Sequence, residues 1–277
     1  MIDFSKAIQA IEADDFTHSA SKIRAFNDAP VRLLEYQAAK MGLIKRKETD
    51  AMSFGSLFHC AYLEPSEVQN RYLILDGKTD RRIKEDKTVD GITVYGKASV
   101  EKFEAQAKAE NKTLIDAAEW AEVSEISNIL HGSATCERLY KRAEGFEQAF
   151  SVKIERNGTT YDFRGVIDMY TDKDIIDLKH IAGITVRNAK YKILDANIDI
   201  QLALYYLAEI ERTGVEKTLW VFAANKSGVL PIKISLETVE SGIKKIHKYL
   251  DDFERCKMFS DWTSGVEFHL ENGYLEI

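Results

Sequence analysis

Cysteine, proline and long apolar runs are all scarce in this chain of 277 residues. Its three cysteines, Cys60, Cys136 and Cys256, are far apart and odd in number. That excludes a disulfide framework and any C-x-x-C clamp for zinc or an iron–sulfur cluster, and they read as reduced cytoplasmic thiols. Only Pro30, Pro65 and Pro231 punctuate the chain, and no Gly/Ser-rich linker, repeat or low-complexity tract divides it, so one continuous architecture is expected. The longest uncharged run, Ala51 to Leu63, is too short for the roughly 20 residues of a membrane span. The opening MIDFSKAIQAIEADDF has early acids where a signal peptide carries cations, so a cytoplasmic location away from membranes is expected. Net positive charge is missing as well. A formal charge of −7 and a pI near 5.5 argue against coating nucleic acid or anionic membrane through the overall field, and leave only a local basic groove.

What is present is enough apolar content, 45% of residues, to bury a substantial core. Residues 21 to 40 and 52 to 64 carry helical periodicity, broken before Pro30 and ended by Pro65. Residues 97 to 142 also read as helical, with Trp120, Val123, Ile126, Ile129 and Leu130 on one stripe. After Gly145 the period shortens. FEQAFSVKIE, TYDFRGVIDMYT and DIIDLK read as three strands, with Asn157-Gly158 as the hairpin turn between the first two. NIDIQLALYYLAEIERTG then reads as a helix capped by Asn197 and closed by Gly214. KTLWVFAAN and GVLPIKIS follow as strands, and Leu236 to Cys256 as a last amphipathic helix. The class is mixed α/β: a small mixed sheet flanked by helices, behind a mainly helical N-terminal half.

The stretch DFRGVIDMYTDKDIIDLKH, residues 162 to 180, places charges among strand-like apolar residues. A turn centred on Asp172-Lys173 sets Thr171 opposite Asp174 and, counting outward, Asp168 opposite Asp177. Directly opposed side chains share a face about 4.5–5.5 Å apart, where like charges repel. A divalent cation offsets that repulsion, and carboxylates with water are the usual shell of Mg²⁺. Lys179 returns to the face of Asp177 because strand side chains alternate. Such a site suits phosphodiester hydrolysis, the metal activating water and polarising phosphate, and the lysine stabilising developing charge. The plain alternative is a solvated strand face with an acid–lysine pair. Two further patterns stand out: MSFGSLFHCAYLEP, where His59 sits one helical turn after the small residues Gly55 and Ser56, and QLALYY, where Gln201 and Tyr205 are i,i+4 neighbours.

In order and spacing, these elements resemble the RecE-type exonucleases of the PD-(D/E)xK nuclease superfamily, the phage and prophage enzymes related to the exonuclease VIII nuclease domain. The resemblance spans roughly residues 18 to 250. It rests on Ser21 to Phe26 before Pro30, G-x-x-x-H at Gly55 to His59, Asp168, D-x-K at Asp177 to Lys179, and Q-x-x-x-Y at Gln201 to Tyr205. His180 departs from it, standing where threonine is common.

The resemblance implies a restriction-endonuclease-like core and a single nuclease domain over 1–277. Residues 1–142 form the mainly helical part that supplies His59, and 143–277 the sheet core with the metal site. It further implies that Asp168, Asp177, the Leu178 carbonyl and His59 hold Mg²⁺, with Mn²⁺ able to substitute. By the same resemblance Lys179 matches the family's catalytic lysine, Gln201 and Tyr205 match the helix pair that flanks it, and Glu147 corresponds to an upstream active-site glutamate. Arg81, Arg82, Lys84, Arg187, Lys190 and Lys192 are candidate DNA contacts; a solvated charged surface explains them equally well. The implied activity is 5′-to-3′ exonucleolytic hydrolysis at double-stranded DNA ends in phage-type recombination, by a ring-shaped homo-oligomer working with a single-strand annealing protein. A structure-specific endonuclease of the superfamily and a noncatalytic DNA-binding protein of the same fold are the alternatives.

Overall fold

The computed structural model describes residues 3–45 and 50–269, so both ends of the 1–277 span lie outside the described residues. Eleven α-helices are described: α1 Ser5–Glu12, α2 Ala20–Asp28, α3 Pro30–Lys40, α4 Asp50–Leu63, α5 Val68–Arg71, α6 Lys97–Ala109, α7 Ala117–Gly132, α8 Ala134–Lys141, α9 Ala189–Asp195, α10 Ile198–Thr213 and α11 Leu236–Phe259. The strands are β1 Tyr72–Ile74, β2 Lys78–Thr79, β3 Lys87–Val89, β4 Ile92–Tyr95, β5 Thr113–Ile115, β6 Gly145–Arg156, β7 Thr159–Tyr170, β8 Asp174–His180, β9 Thr218–Asn225 and β10 Gly228–Lys233.

The main sheet runs β10-β9-β8-β7-β6. The β8/β9 pair is parallel and the others antiparallel. A parallel neighbour requires a crossover, and α9 with α10 supplies it. Side chains of β9 alternate between two buried clusters. Leu219, Val221 and Ala223 face the layer of α1, α2, α3, α10 and α11, whereas Phe222 and Ala224 face α4, α7 and α8. The sheet is thus buried on both sides, which is why its central strands read as nearly continuous apolar runs.

Both turns of the meander form where the sequence places them. Asn157 and Gly158 take φ values of 51° and 79°, the paired left-handed residues that a two-residue hairpin requires. The β7/β8 turn has no glycine. Instead the Thr171 hydroxyl accepts from the backbone N–H groups of Lys173 and Asp174 at 3.1 and 2.9 Å, and Thr171 N–H donates to the Asp174 carbonyl at 2.8 Å. The resulting pairs, Met169 with Ile176 and Tyr170 with Ile175, are the register expected for Asp168 opposite Asp177.

Three expectations change. The helical stretch over 97–142 is broken by β5, which pairs in parallel with β1. The N-terminal half is mainly helical, as expected, but it also holds a three-stranded sheet, β2-β4-β3, that was not expected. All three residues of β3 are exposed, so it shows no alternation of apolar and polar residues. Asn197 precedes α10 with φ 52° and makes no side-chain capping bond; its Oδ1 instead accepts from Lys245 Nζ at 3.2 Å. Among the described residues no helix is long and apolar enough to cross a membrane.

The outer part of β7 is paired on its β8 side by the segment leading into α2. His18 N–H donates to the Asp162 carbonyl at 2.8 Å, and Arg164 N–H to the His18 carbonyl at 3.0 Å. The His18 ring is buried against Phe16, Phe163, Tyr249 and Phe253, with Nδ1 2.7 Å from the Tyr249 hydroxyl. Burial, with Lys22 nearby, pushes its pKa down from 6.5 to about 3. In the unfolded chain the imidazole titrates near 6.5, so the unfolded state takes up the proton first. The stability held by neutral His18 is whole above about pH 6.5 and is lost progressively as pH falls towards 3, a total on the order of 5 kcal/mol. Urea titrations at pH 7, 5 and 4 should show that decline, and it should be shallower in His18→Gln, which cannot take up the proton.

Candidate active site

Between Arg164, paired to the His18 segment, and Met169, paired to β8, strand β7 has neither neighbour on that side among the described residues. The candidate site occupies this fork. Asp168 replaces the missing ladder with its side chain, Oδ2 accepting from Leu178 N–H at 2.7 Å. Asp177, fully buried, lies against Lys179 as strand alternation requires, with Nζ 2.7 Å from Oδ1. From α10, the Tyr205 hydroxyl lies 2.7 Å from the Val166 carbonyl and 3.4 Å from Asp177 Oδ1, and the Gln201 amide donates to that hydroxyl. The i,i+4 pair therefore reaches the acids through Tyr205.

From the opposite layer, α4 presents His59. Its Nε2 lies 2.8 Å from the Leu178 carbonyl, and its Nδ1 is 3.7 Å from Glu147 Oε1 and 3.8 Å from Asp168 Oδ1. Glu147 stands on β6 at the position opposite Asp168, with Phe146↔Met169 and Gln148↔Ile167 paired on either side. Its φ of 48° is left-handed, a strain of about 1–2 kcal/mol for a residue with a Cβ. At this rung the two strands exchange faces. Val152, Ile154, Phe163 and Ile167 pack towards α10 and α11, but Phe146 and Met169 pack towards α4 and α7. The irregular rung brings one carboxylate from each strand towards His59.

The electrostatics of the cluster are unbalanced. Asp168, Asp177 and Glu147 carry three formal negative charges against one on Lys179. Burial, reinforced by Asp168, raises the Asp177 pKa against the pull of Lys179. Burial opposes charge on Lys179, but Asp177 and Asp168 outweigh it and raise its pKa. For His59 burial likewise lowers and Asp168 and Glu147 raise, with a net upward shift. Among the described residues Asp177 Oδ2, though buried, has no hydrogen-bond partner, an acceptor left open where such atoms are normally satisfied. One ligand atom from each of His59, Glu147 and Asp168 lies within 4.8 Å of the other two. Asp177 is not one of these three, and it does not line the cleft; the oxygen and nitrogen donors of His59, Glu147 and Asp168 fit a divalent cation.

The cleft over these groups encloses about 650 Å³ and is lined by Gly55, Ser56, His59, Glu147, Asp168, Lys179 and Gln201, together with Ser21, Arg24 and Arg71. A contiguous pocket adds Arg164 and Tyr205. Arg24 and Arg164 are site-facing cations that the sequence reading did not single out. Arg24 lies inside the Ser21 to Phe26 element, the only signal that could have drawn attention to it. The candidate DNA contacts lie elsewhere: Arg81 pairs with Glu104 and Arg82 with Asp80, Lys84 is exposed, and Arg187, Lys190 and Lys192 belong to the segment between β8 and α10.

Gly55 sits within α4, where glycine is about 1 kcal/mol less favourable than alanine, yet among the described residues a Cβ added there meets nothing within 4 Å. Internal packing gives no reason for it; the open space belongs to the cleft. Gly55→Ala is therefore expected to raise stability by about 0.5–1 kcal/mol while weakening turnover on DNA. Thermal melts and cleavage rates measured side by side check this, and a variant gaining in both would show that the space serves no substrate.

Comparison with known proteins gives the same frame. Residues 19–267 match the family model described as a PDDEXK-like domain of unknown function (DUF3799), a span that includes both the helical part and the sheet. No curated protein matches the chain. Among solved structures, the chain is similar to a crystal structure of a protein from Eubacterium rectale named "Putative exonuclease". The TM-score is 0.55 at 17% sequence identity, covering 94% of this chain and 88% of that one. At this identity the likeness establishes a shared fold. The chain belongs to the PDDEXK-like family DUF3799, and its central sheet with helical layers on both faces is the fold of the PD-(D/E)xK nuclease superfamily.

Proposed function

We propose that this protein is a divalent-metal-dependent deoxyribonuclease that degrades linear double-stranded DNA from its ends, with Mg²⁺ as the working ion and Mn²⁺ as a substitute. The observation that carries this reading is the pair of buried acids Asp168 and Asp177 with half-buried Lys179 against them and Asp177 Oδ2 unpaired. Asp168, Asp177, Glu147, His59 and the Leu178 carbonyl are the groups that would hold the ion. When bound, it would polarise a phosphate and lower the pKa of water.

The chain's own groups supply the rest. Lys179 donates from Nζ towards the attacking water or the phosphate oxygens, and its pairing with Asp177 keeps it protonated and oriented. Tyr205, itself held by the Gln201 amide, lies against Asp177 Oδ1 from the α10 side. Arg24 and Arg164 face the cleft and neutralise phosphates on either side of the scissile bond, giving an acidic protein a local seat for DNA. Retention of both acids and the lysine favours catalysis over a noncatalytic DNA-binding role. The 5′-to-3′ polarity, ring assembly, a single-strand annealing partner and a place in phage-type recombination belong to the same proposal and rest on the RecE-type resemblance.

The test is digestion of end-labelled linear duplex beside covalently closed circles, with Mg²⁺ or with EDTA. Progressive loss of the linear substrate in Mg²⁺ alone, with circles intact, is the expected outcome. Nicking of circles at a comparable rate would assign the protein to the endonucleases instead.

A further inference from the structure

The segment between β8 and α10 carries an unusual surface. Val186 is 82% and Tyr191 69% exposed, and the cations Arg187 and Lys190 between them are exposed too. Among the described residues neither cation forms an ion pair, in contrast to Arg81 with Glu104 and Arg82 with Asp80. The segment is built rather than loose. Asn188 Oδ1 accepts from Thr185 N–H at 2.8 Å, and Asn188 Nδ2 donates to the Gly183 carbonyl at 3.0 Å. Lys192 Nζ donates to the Ala182 carbonyl, and Ile184 packs against the core. Hydrogen bonding and packing therefore hold two apolar side chains out in water with unpaired cations beside them.

We infer that this segment is a nucleic-acid arm. Tyr191 and Val186 take the faces of unpaired nucleotides at a DNA end, while Arg187 and Lys190 contact the adjoining phosphates. The inference rests on the nuclease reading, which it extends from the reacting phosphate to the strand around it. Complementarity selects the partner: free cations in a chain of net charge −7 suit a polyanion, and exposed phenol and isopropyl groups suit a planar apolar face. Within a paired duplex the base faces are stacked on one another and only edges are offered in the grooves, the one exposed face being that of each terminal pair. Unpaired or frayed nucleotides offer those faces to aromatic stacking and to apolar wedges. Chain length permits it as well. Val186 follows Lys179 by seven residues, a reach of at most about 25 Å, and the segment joins the strand bearing Asp177 and Lys179 to the helix bearing Gln201 and Tyr205. An arm there separates the end of a strand as it is fed to the cleft.

The experiment measures binding without cutting. In full-length protein carrying Asp177→Asn, affinity is measured by fluorescence anisotropy for a blunt duplex and for the same duplex with an unpaired tail bearing 2-aminopurine. Tyr191→Ala should weaken tailed-DNA binding about tenfold, within the range for loss of one base–aromatic stack. It should also abolish the change in 2-aminopurine fluorescence on binding and leave blunt-duplex affinity nearly unchanged. Tyr191→Phe should restore both. Arg187→Ala with Lys190→Ala should reduce the salt dependence of log K by about 1.4, two single-strand phosphate contacts at roughly 0.7 each. Equal affinity of every variant for tailed DNA, or an equal loss on tailed and blunt DNA, overturns the arm. So does a shift in sedimentation of Tyr191→Ala with DNA binding intact, since the surface would then join copies of the chain. Cleavage of linear duplex by the wild-type protein, run in parallel, reports on the nuclease reading separately, because an arm that fails these tests leaves that cleavage in place.

Discussion

Replacing Asp177 by asparagine is expected to lower DNA cleavage by roughly a thousandfold or more while thermal stability stays at or above the wild-type value. The two effects part because the carboxylate's position favours chemistry over folding. Asp177 is fully buried with Oδ2 unpartnered, and Asp168 lies close enough to raise its pKa. Exchange for the isosteric amide keeps the volume, removes one of the crowded negative charges, and leaves an acceptor for Lys179. Lost with the charge is the oxygen that fits a cation. Initial rates on linear duplex at saturating Mg²⁺, with a melting curve for each protein, decide the matter. A variant that both unfolds and cuts poorly would make Asp177 a structural residue.

Lys179→Ala is expected to lose a comparable share of turnover for a different reason. Lys179 Nζ is 2.7 Å from Asp177 Oδ1, and its removal leaves a buried carboxylate without its countercharge, a loss of about 3 kcal/mol in stability when no cation is present. A divalent ion can then supply the missing charge. The rise in melting temperature on adding Mg²⁺ should therefore be larger for Lys179→Ala than for wild type, although cleavage stays abolished. Turnover near the wild-type rate, or a smaller thermal response to Mg²⁺, would remove Lys179 from the role assigned to it.

Much of this site is legible in the sequence because it is encoded locally. Strand alternation puts Lys179 beside Asp177, and the turn at Asp172-Lys173 sets the register that faces Asp168 towards Asp177. Helical spacing joins Gln201 to Tyr205. What escapes is what only tertiary structure assembles. The left-handed Glu147 and the exchange of faces at its rung leave no compositional mark, since Glu147 sits in an ordinary-looking strand and was expected in the site only from family resemblance. Arg24 and Arg164 converge from α2 and β7 because the His18 segment pairs with the outer half of β7, a contact spanning well over a hundred residues of sequence. The β2-β4-β3 sheet was missed because its strands are short and β3 lies wholly exposed, and β5 because three residues cannot display a period. Asn197 shows the opposite failure, in which a favourable capping residue stands at the right place with its side chain engaged by Lys245.

Release of acid-soluble nucleotides from uniformly labelled linear DNA, measured for wild type in Mg²⁺, for wild type in EDTA and for Asp177→Asn in Mg²⁺, tests the central claim most directly. If the buried acids and the half-buried Lys179 form a cation-dependent phosphodiesterase site, nucleotides appear only in the first reaction. Release that persists in EDTA, or in the Asp177→Asn protein at the wild-type rate, would contradict it.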